Sequence, residues 1–231
     1  MKQILVAVAL VMVGLMPGVS QAANLFFDDF FGETRGLNHG SFSNPSFANW
    51  TVTNGTVDMI GYDAPPFFNF SSLPQTLPND GRYVDLDGST NNAGDMTSDP
   101  VLLGPGLYDL TFLIAGTQRA GAPDVLGSND LAYGIDLNGT GVLDAGDAMG
   151  LILSGSVGTF APFTVQTLPF SLGAPTSVQI IFSHSGGDKV GLILDNVSVD
   201  TRAAVPEPAS LMLLGAGLAA IGIWRRKAAK G

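Results

Sequence analysis

Between residues 24 and 204 no stretch sustains the 3.6-residue apolar period of an amphipathic helix, and that absence constrains the fold more than any motif in the chain. The segment is built instead from short β-branched and aromatic runs separated by Gly, Pro, Asn and Asp, the pattern of strands joined by turns. Trp50-Thr51-Val52-Thr53 and Thr56-Val57-Asp58-Met59-Ile60 flank Asn54-Gly55, which predicts a hairpin. Gly106 to Ala115 alternates, placing Tyr108, Leu110, Phe112 and Ile114 on one face. Further strands are expected at residues 82–86, 133–137, 149–153, 163–170, 177–183 and 190–199. Residues 61–80, with four prolines and Phe67, Phe68 and Phe70, read as a long loop. Many short strands sharing one core predict an all-β fold, a jelly-roll β-sandwich. Trp50, Leu110, Phe112, Ile180, Phe182 and Ile193 are expected in its core. The span of 181 residues is enough for one such domain and short for two.

The charge balance supports strands and loops. Residues 24–204 carry 19 acids, 18 of them Asp, against Arg35, Arg82, Arg119, Lys189 and Arg202, for a net charge near −14. Asp favours turns where Glu favours helices. So acidic a body repels nucleic acid and anionic membrane surfaces, and no nucleic-acid partner is expected. The chain has no cysteine, which removes disulfides, thiol redox chemistry and thiolate metal sites from consideration.

Both ends read as processed segments. Lys2, an apolar run from Ile4 to Met16, and Ser20-Gln21-Ala22 have the layout of a signal peptide over residues 1–22. At the other end, Pro206-Glu207-Pro208 stops the preceding fold because each proline removes a backbone donor. Residues 209–224 then carry no charge and as a helix would rise about 24 Å, a short membrane span that Trp224 and its flanking arginines extend. Arg225, Arg226 and Lys227 hold that end on the cytoplasmic side. This tail resembles the PEP-CTERM sorting signal of exported bacterial proteins. The resemblance implies recognition by an exosortase-type membrane protease as partner and cleavage near Pro206-Glu207-Pro208. It also implies export across the inner membrane of a Gram-negative, exopolysaccharide-producing cell, transient anchoring in the membrane by the helix, and a final place at the surface or outside the cell. The expected order is signal peptide 1–22, β-sandwich ectodomain 23–201, linker 202–208, transmembrane helix 209–224 and basic tail 225–231.

Within the ectodomain, Asn49-Trp50-x-Val52-x-x-Gly55-x-Val57-Asp58, Gly81-x-Tyr83-Val84-Asp85-Leu86-Asp87-Gly88, Gly106-x-Tyr108-x-Leu110-x-Phe112 and Gly186-Gly187-Asp188-x-Val190-Gly191-x-Ile193-Leu194-Asp195-Asn196-Val197 resemble galactose-binding-like jelly rolls, which include carbohydrate-binding modules. The resemblance implies a module whose partner is polysaccharide. A structural matrix component without a small ligand is the alternative, and a secreted hydrolase a minor one. Tyr62, Phe67, Phe68, Phe70 and Tyr83 are the aromatics expected to stack on sugar rings.

Calcium is the one cofactor the residues suggest. Asp136-x-Asn138-x-Thr140-Gly141-Val142-x-Asp144-x-x-Asp147 places oxygens at the ligand positions of an EF-hand-like loop, with the carbonyl of Val142 at the seventh, and resembles dockerin-type loops. The same residues also build ordinary turns. A second candidate follows from parity: in a regular strand Asp195 shares a face with Ile193, Val197 and Val199, where a carboxylate needs compensation. The jelly-roll resemblance implies that Asp28 or Asp29 would join it around a cation. The two histidines, His39 and His184, lie in no nucleophile context, and no catalytic residues are expected.

Overall fold

The computed structural model describes residues 24–33, 36–39, 47–61, 82–119, 130–153 and 155–202, all within one compact unit, Ala22–Arg202. The expected signal peptide, the membrane segment and the sorting residues Pro206, Glu207, Pro208, Arg225, Arg226 and Lys227 lie outside the described residues, as do Tyr62, Phe67, Phe68 and Phe70. Among the described residues there is no helix long and apolar enough to cross a membrane.

Among the described residues thirteen strands run in order: β1 Asn24–Asp28, β2 Gly36–His39, β3 Trp50–Thr53, β4 Val57–Gly61, β5 Arg82–Asp85, β6 Asp95–Ser98, β7 Val101–Leu103, β8 Gly106–Ala115, β9 Leu131–Asp136, β10 Ala148–Ile152, β11 Thr164–Leu172, β12 Thr176–His184 and β13 Ile193–Thr201. They form two antiparallel sheets. The larger has the order β11-β8-β13-β5-β4-β2 with β1 also on β13, and the smaller β10-β9-β12-β6-β3 with β7 also on β12. Neighbours in each sheet are mostly distant in sequence, the crossover pattern of a jelly-roll sandwich.

The alternation of β8 builds the core directly, with Tyr108, Leu110, Phe112 and Ile114 all buried between the sheets. Phe112 meets Tyr133 and Phe182 edge-on at 4.8 and 5.0 Å. Phe182 in turn lies 5.8 Å from Trp50, so a chain of aromatic rings ties the two sheets together.

Two expectations are corrected. The residues around Asn54-Gly55 do not form a hairpin: β3 pairs with β6 in the smaller sheet, whereas β4 pairs with β5 and β2 in the larger. The backbone of residues 92–94 wedges the strands apart, Thr56 N donating to Asn92 O at 3.1 Å and Gly94 N to Thr56 O at 2.9 Å. A Cβ at residue 55 would stand 2.1 Å from Ala93 O, so glycine there permits this close passage. The second correction concerns Ile193, which is buried on the far side of its sheet, in a smaller apolar cluster with Ile60, Tyr83 and Ala115.

Candidate functional site

That smaller cluster belongs to the outward face of the larger sheet. Val57, Met59, Val84, Leu86, Ile114 and Leu194 point into the sandwich core, so alternation turns Asp58, Ile60, Tyr83, Asp85, Ile193, Asp195 and Ala115 to the other side. All seven are buried. Register aligns Asp58 with Asp85, Asp85 with Ile193 and Ile193 with Ala115, while Ile60 lies opposite Tyr83 and Asp195 opposite Leu113. Phe163 packs on the apolar members, its ring 5.2 Å from that of Tyr83.

Three buried carboxylates on three adjacent strands require partners. Arg119 Nη2 donates to Asp85 Oδ2 at 2.9 Å, and the Asp87 backbone N to Asp85 Oδ1 at 3.2 Å. Burial still pushes the Asp85 carboxyl up to about 7, opposed by Arg119 and assisted by Asp58 beside it. Asp58 accepts from Ser89 Oγ, and Asp195 Oδ1 accepts from Asn196 N at 2.8 Å.

Asp87, also buried, fastens the loop that precedes β13. Its Oδ2 accepts from Val190 N at 2.9 Å. A Cβ at residue 186 would lie 2.1 Å from Asp87 Oδ1, and one at residue 191 would lie 2.2 Å from Asp85 Oδ1. The two glycines therefore let the loop settle onto these carboxyls. Burial raises the Asp87 carboxyl above its ordinary range, opposed by the N–H groups of Gly187 and Val190, with Asp188 adding to the rise. Nearby, His184 Nδ1 accepts from Gly186 N at 3.1 Å. Burial lowers this imidazole to about 4, against the pull of Asp188 and Asp130, so it is neutral near pH 7.

Chemically, the carboxyls and Tyr83 are buried, while Arg119 and Phe163 are half-buried, so the groups of this face that reach solvent are a guanidinium, which donates to hydroxyl and carboxylate oxygens, and an aromatic ring, which packs on apolar surfaces. Sequence reasoning missed Asp58, Asp85 and Arg119. A signal for the carboxylates was present, since Val57-Asp58-Met59, Val84-Asp85-Leu86 and Leu194-Asp195 set an Asp at one phase of three strands.

Tyr83, expected to be an exposed aromatic, is fully buried, because its strand phase turns it into the outward cluster beneath Phe163. Asp195 keeps company with Ile193, but Val197 and Val199 turn into the main core. The strand register slips between Asp195 and Ser198, and Asn196 at φ 48° makes the reversal. Asp28, whose Cα partner is Val197, accepts from Trp50 Nε1 at 2.9 Å, Phe30 N at 2.8 Å and Asn49 Nδ2 at 3.1 Å. Asp29 Oδ1 accepts from Phe31 N at 3.1 Å.

The 136–147 loop does gather Asp136, Asn138, Thr140, Asp144 and Asp147, and its oxygens bond the loop's own donors. Asp136 accepts backbone N–H bonds from Asn138, Gly139 and Gly141 at 3.0, 2.7 and 2.7 Å. Asp147 accepts from Leu137 N and Asp144 N, both at 2.9 Å. Asn138 Nδ2 bonds both Asp144 oxygens, and Thr140 Oγ1 donates to the Val142 carbonyl. Among the described residues no group of three or more His, Asp or Glu side chains is arranged to hold a metal ion.

The family described as the PEP-CTERM protein-sorting motif matches residues 204–227. The chain carries a PEP-CTERM sorting motif. It is thereby an exported protein sorted to the surface. No curated protein matches the chain. Among solved structures, a cyclase from Fischerella sp. TAU is 13% identical, covering 80% of this chain and 99% of that one at a TM-score of 0.52. The CBM22-1 xylan-binding domain from Paenibacillus barcinonensis is 13% identical over 80% of this chain and 99% of that one, TM-score 0.45. A cleaved adhesin domain of Lys-gingipain from Porphyromonas gingivalis is 17% identical over 79% and 100%, TM-score 0.40. The likeness to the cyclase accords with the jelly-roll fold and, at that identity, speaks to fold alone.

Proposed function

We propose that the ectodomain is a carbohydrate-binding module of this PEP-CTERM protein, that an exosortase-type protease cuts the chain near Pro206-Glu207-Pro208, and that the ligand is a surface exopolysaccharide. The observation that carries the binding reading is the outward face of the larger sheet. There Arg119 and Phe163 are half-buried and reach solvent, Arg119 held by the buried Asp85 and Phe163 packed on the buried Tyr83, with the buried Asp58 and Asp195 beside them. A guanidinium donates to sugar hydroxyls and an aromatic ring packs on a sugar face, and uncharged hydroxyls meet a net charge near −14 without the repulsion an anionic polymer would suffer. The role proposed for these residues is binding. Asp85 and Arg119 engage each other at 2.9 Å, a pairing that orients a fork toward hydroxyls.

Two experiments test this reading. Intact mass of the surface form should lack everything after about Pro208, and a form still ending in Arg225-Arg226-Lys227 would reject the cleavage. Isothermal titration of the protein with a panel of neutral polysaccharides should give saturable binding with at least one, and none across the panel would reject the binding role.

A further inference from the structure

Between β12 and β13 the chain crosses from the smaller sheet to the larger through residues 185–192. Backbone contacts fasten this loop at both ends: Ser185 N donates to Asp130 O at 2.8 Å, and Leu192 O accepts from Leu86 N at 3.0 Å. Between those ends the loop's N–H groups turn to side chains that titrate. Gly186 N donates to His184 Nδ1 at 3.1 Å, and Val190 N donates to Asp87 Oδ2 at 2.9 Å and to Asp188 Oδ1 at 3.0 Å. The backbone there is costly to hold, since Lys189 stands at φ 68°, where side chains are rarely found.

The hydrogen bond at His184 fixes where its protons can go. Nδ1 accepts, so the neutral imidazole carries its proton on Nε2, which is buried and has no hydrogen-bond partner among the described residues. A second proton can go only to Nδ1, where it would meet the N–H of Gly186 donor to donor. Gly186 is also pressed against Asp87 Oδ1, which a Cβ at residue 186 would approach to 2.1 Å, so this point of the loop has little room to yield by itself. We infer that His184 is a proton-sensitive latch: a proton at Nδ1 expels the Gly186 N–H and lifts residues 185–192 off Asp87 and Asp85. Gly191 packs on Asp85 Oδ1 and Asp85 Oδ2 holds Arg119, so lifting the loop uncovers the carboxyl that anchors Arg119. The latch operates whether or not this face binds polysaccharide.

The charged groups around the latch do not all act in one sense. Burial holds the imidazole at about 4 against 6.5 for a free one, with Asp188 on the loop and Asp130 ahead of β9 pulling the other way. Beneath the loop, Asp85 and Asp87 are raised by burial and so favour the closed loop in acid, opposing the histidine. Asp95, opposite Ser183 on β6, bonds Asn54 on the outer side of the sheet, since its neighbour Met96 enters the core. Lys189 is exposed.

The readout is therefore the difference between the wild type and His184→Gln, whose Oε1 accepts from Gly186 N but takes up no proton. Amide hydrogen exchange of the full chain in a mild detergent, from pH 6.5 to 4, follows the N–H groups of Gly186 and Val190. A lifted loop frees the imidazole to titrate near 6.5, so wild-type protection at these amides should fall relative to the variant by about tenfold for each pH unit in that window. A constant ratio between the two proteins would overturn the latch. So would an equal fall at Asn138 and Gly139, which bond Asp136 on another loop, because the proton would then act on the whole fold. Should His184→Gln misfold, the wild type decides by nuclear magnetic resonance: the Gly186 amide should shift with the same midpoint as the His184 imidazole, at about pH 4. A Gly186 amide unmoved through that titration would overturn the latch.

Discussion

The sandwich has two outward faces, and they differ in nearly every respect. On the larger sheet the outward residues Asp58, Ile60, Tyr83, Asp85, Ile193 and Asp195 are buried, and three of them are carboxyls. On the smaller sheet, beyond the same core, the outward side chains of β10, Met149 and Leu151, are apolar, uncharged and open to solvent, and beside them β9 sets the small Ala132 and Gly134. Both faces obey the same two-residue alternation. What separates them is which side chains the outward phase carries, and how much chain packs over them. A sheet's inner face is thus fixed by the need for a core, whereas its outer face is free to take up a separate task.

The largest effect that would break this comparison is one of stability. Replacing Tyr83 by Ala removes a buried ring from the larger sheet's outer face and should cost about 3–5 kcal/mol. Leu151→Thr on the smaller sheet's outer face should stay within about 0.5 kcal/mol. Denaturant titration of both variants checks the pair, and equal costs would mean that the two faces do not differ in burial as described.

Next in size is the 136–147 loop. Asp136→Ala strips acceptors from three backbone N–H groups, each costly when left unmet, and should destabilise by about 2–4 kcal/mol in chelator and in millimolar calcium alike. A thermal melt in which the loss appears only with calcium would show that a cation, rather than the loop's own N–H groups, answers these carboxyls.

This loop shows where sequence reading stops. The positions of Asp136, Asn138, Thr140, Asp144 and Asp147 foretold that one loop would collect those oxygens, but spacing alone does not say whether a cation or the loop's own N–H groups answers them. Strand β8 was fully legible, because alternation is local and each phase has one meaning. The turn at Asn54-Gly55 was misread, because its outcome depends on residues 92–94, almost 40 positions away. Asp58 and Asp85, legible only as part of the jelly-roll resemblance, do not read as site residues for the same reason: a single Asp between apolar residues is unremarkable until the sheet sets two of them opposite one another.

A smaller effect separates the buried groups by pH. In the folded protein Asp85 keeps its proton up to about pH 7 against 3.8 in the unfolded chain, so its contribution is full below about 3.8 and is lost as pH rises towards 7. His184 works in the opposite sense, at about 4 when folded against 6.5 unfolded, so stability from this group grows as pH rises from 4 to 6.5. The two partly cancel in the wild type. Asp85→Asn should therefore add an upward slope of stability with pH across 4 to 6.5, and His184→Gln a downward one. Parallel pH profiles for the two variants would show that neither group titrates as its burial requires.

The central claim is that the larger sheet's outer face binds polysaccharide through Arg119 and Phe163, which the buried Asp85 and Tyr83 hold in place. Its most direct test is titration of a neutral polysaccharide into the wild type and into Arg119→Lys, which keeps the positive charge near Asp85 but loses the planar fork. The account predicts saturable binding by the wild type and about tenfold weaker binding by the variant, roughly 1.4 kcal/mol, with folding unchanged by circular dichroism. Equal affinity in the two proteins, or no binding by the wild type to any polymer tested, would contradict it.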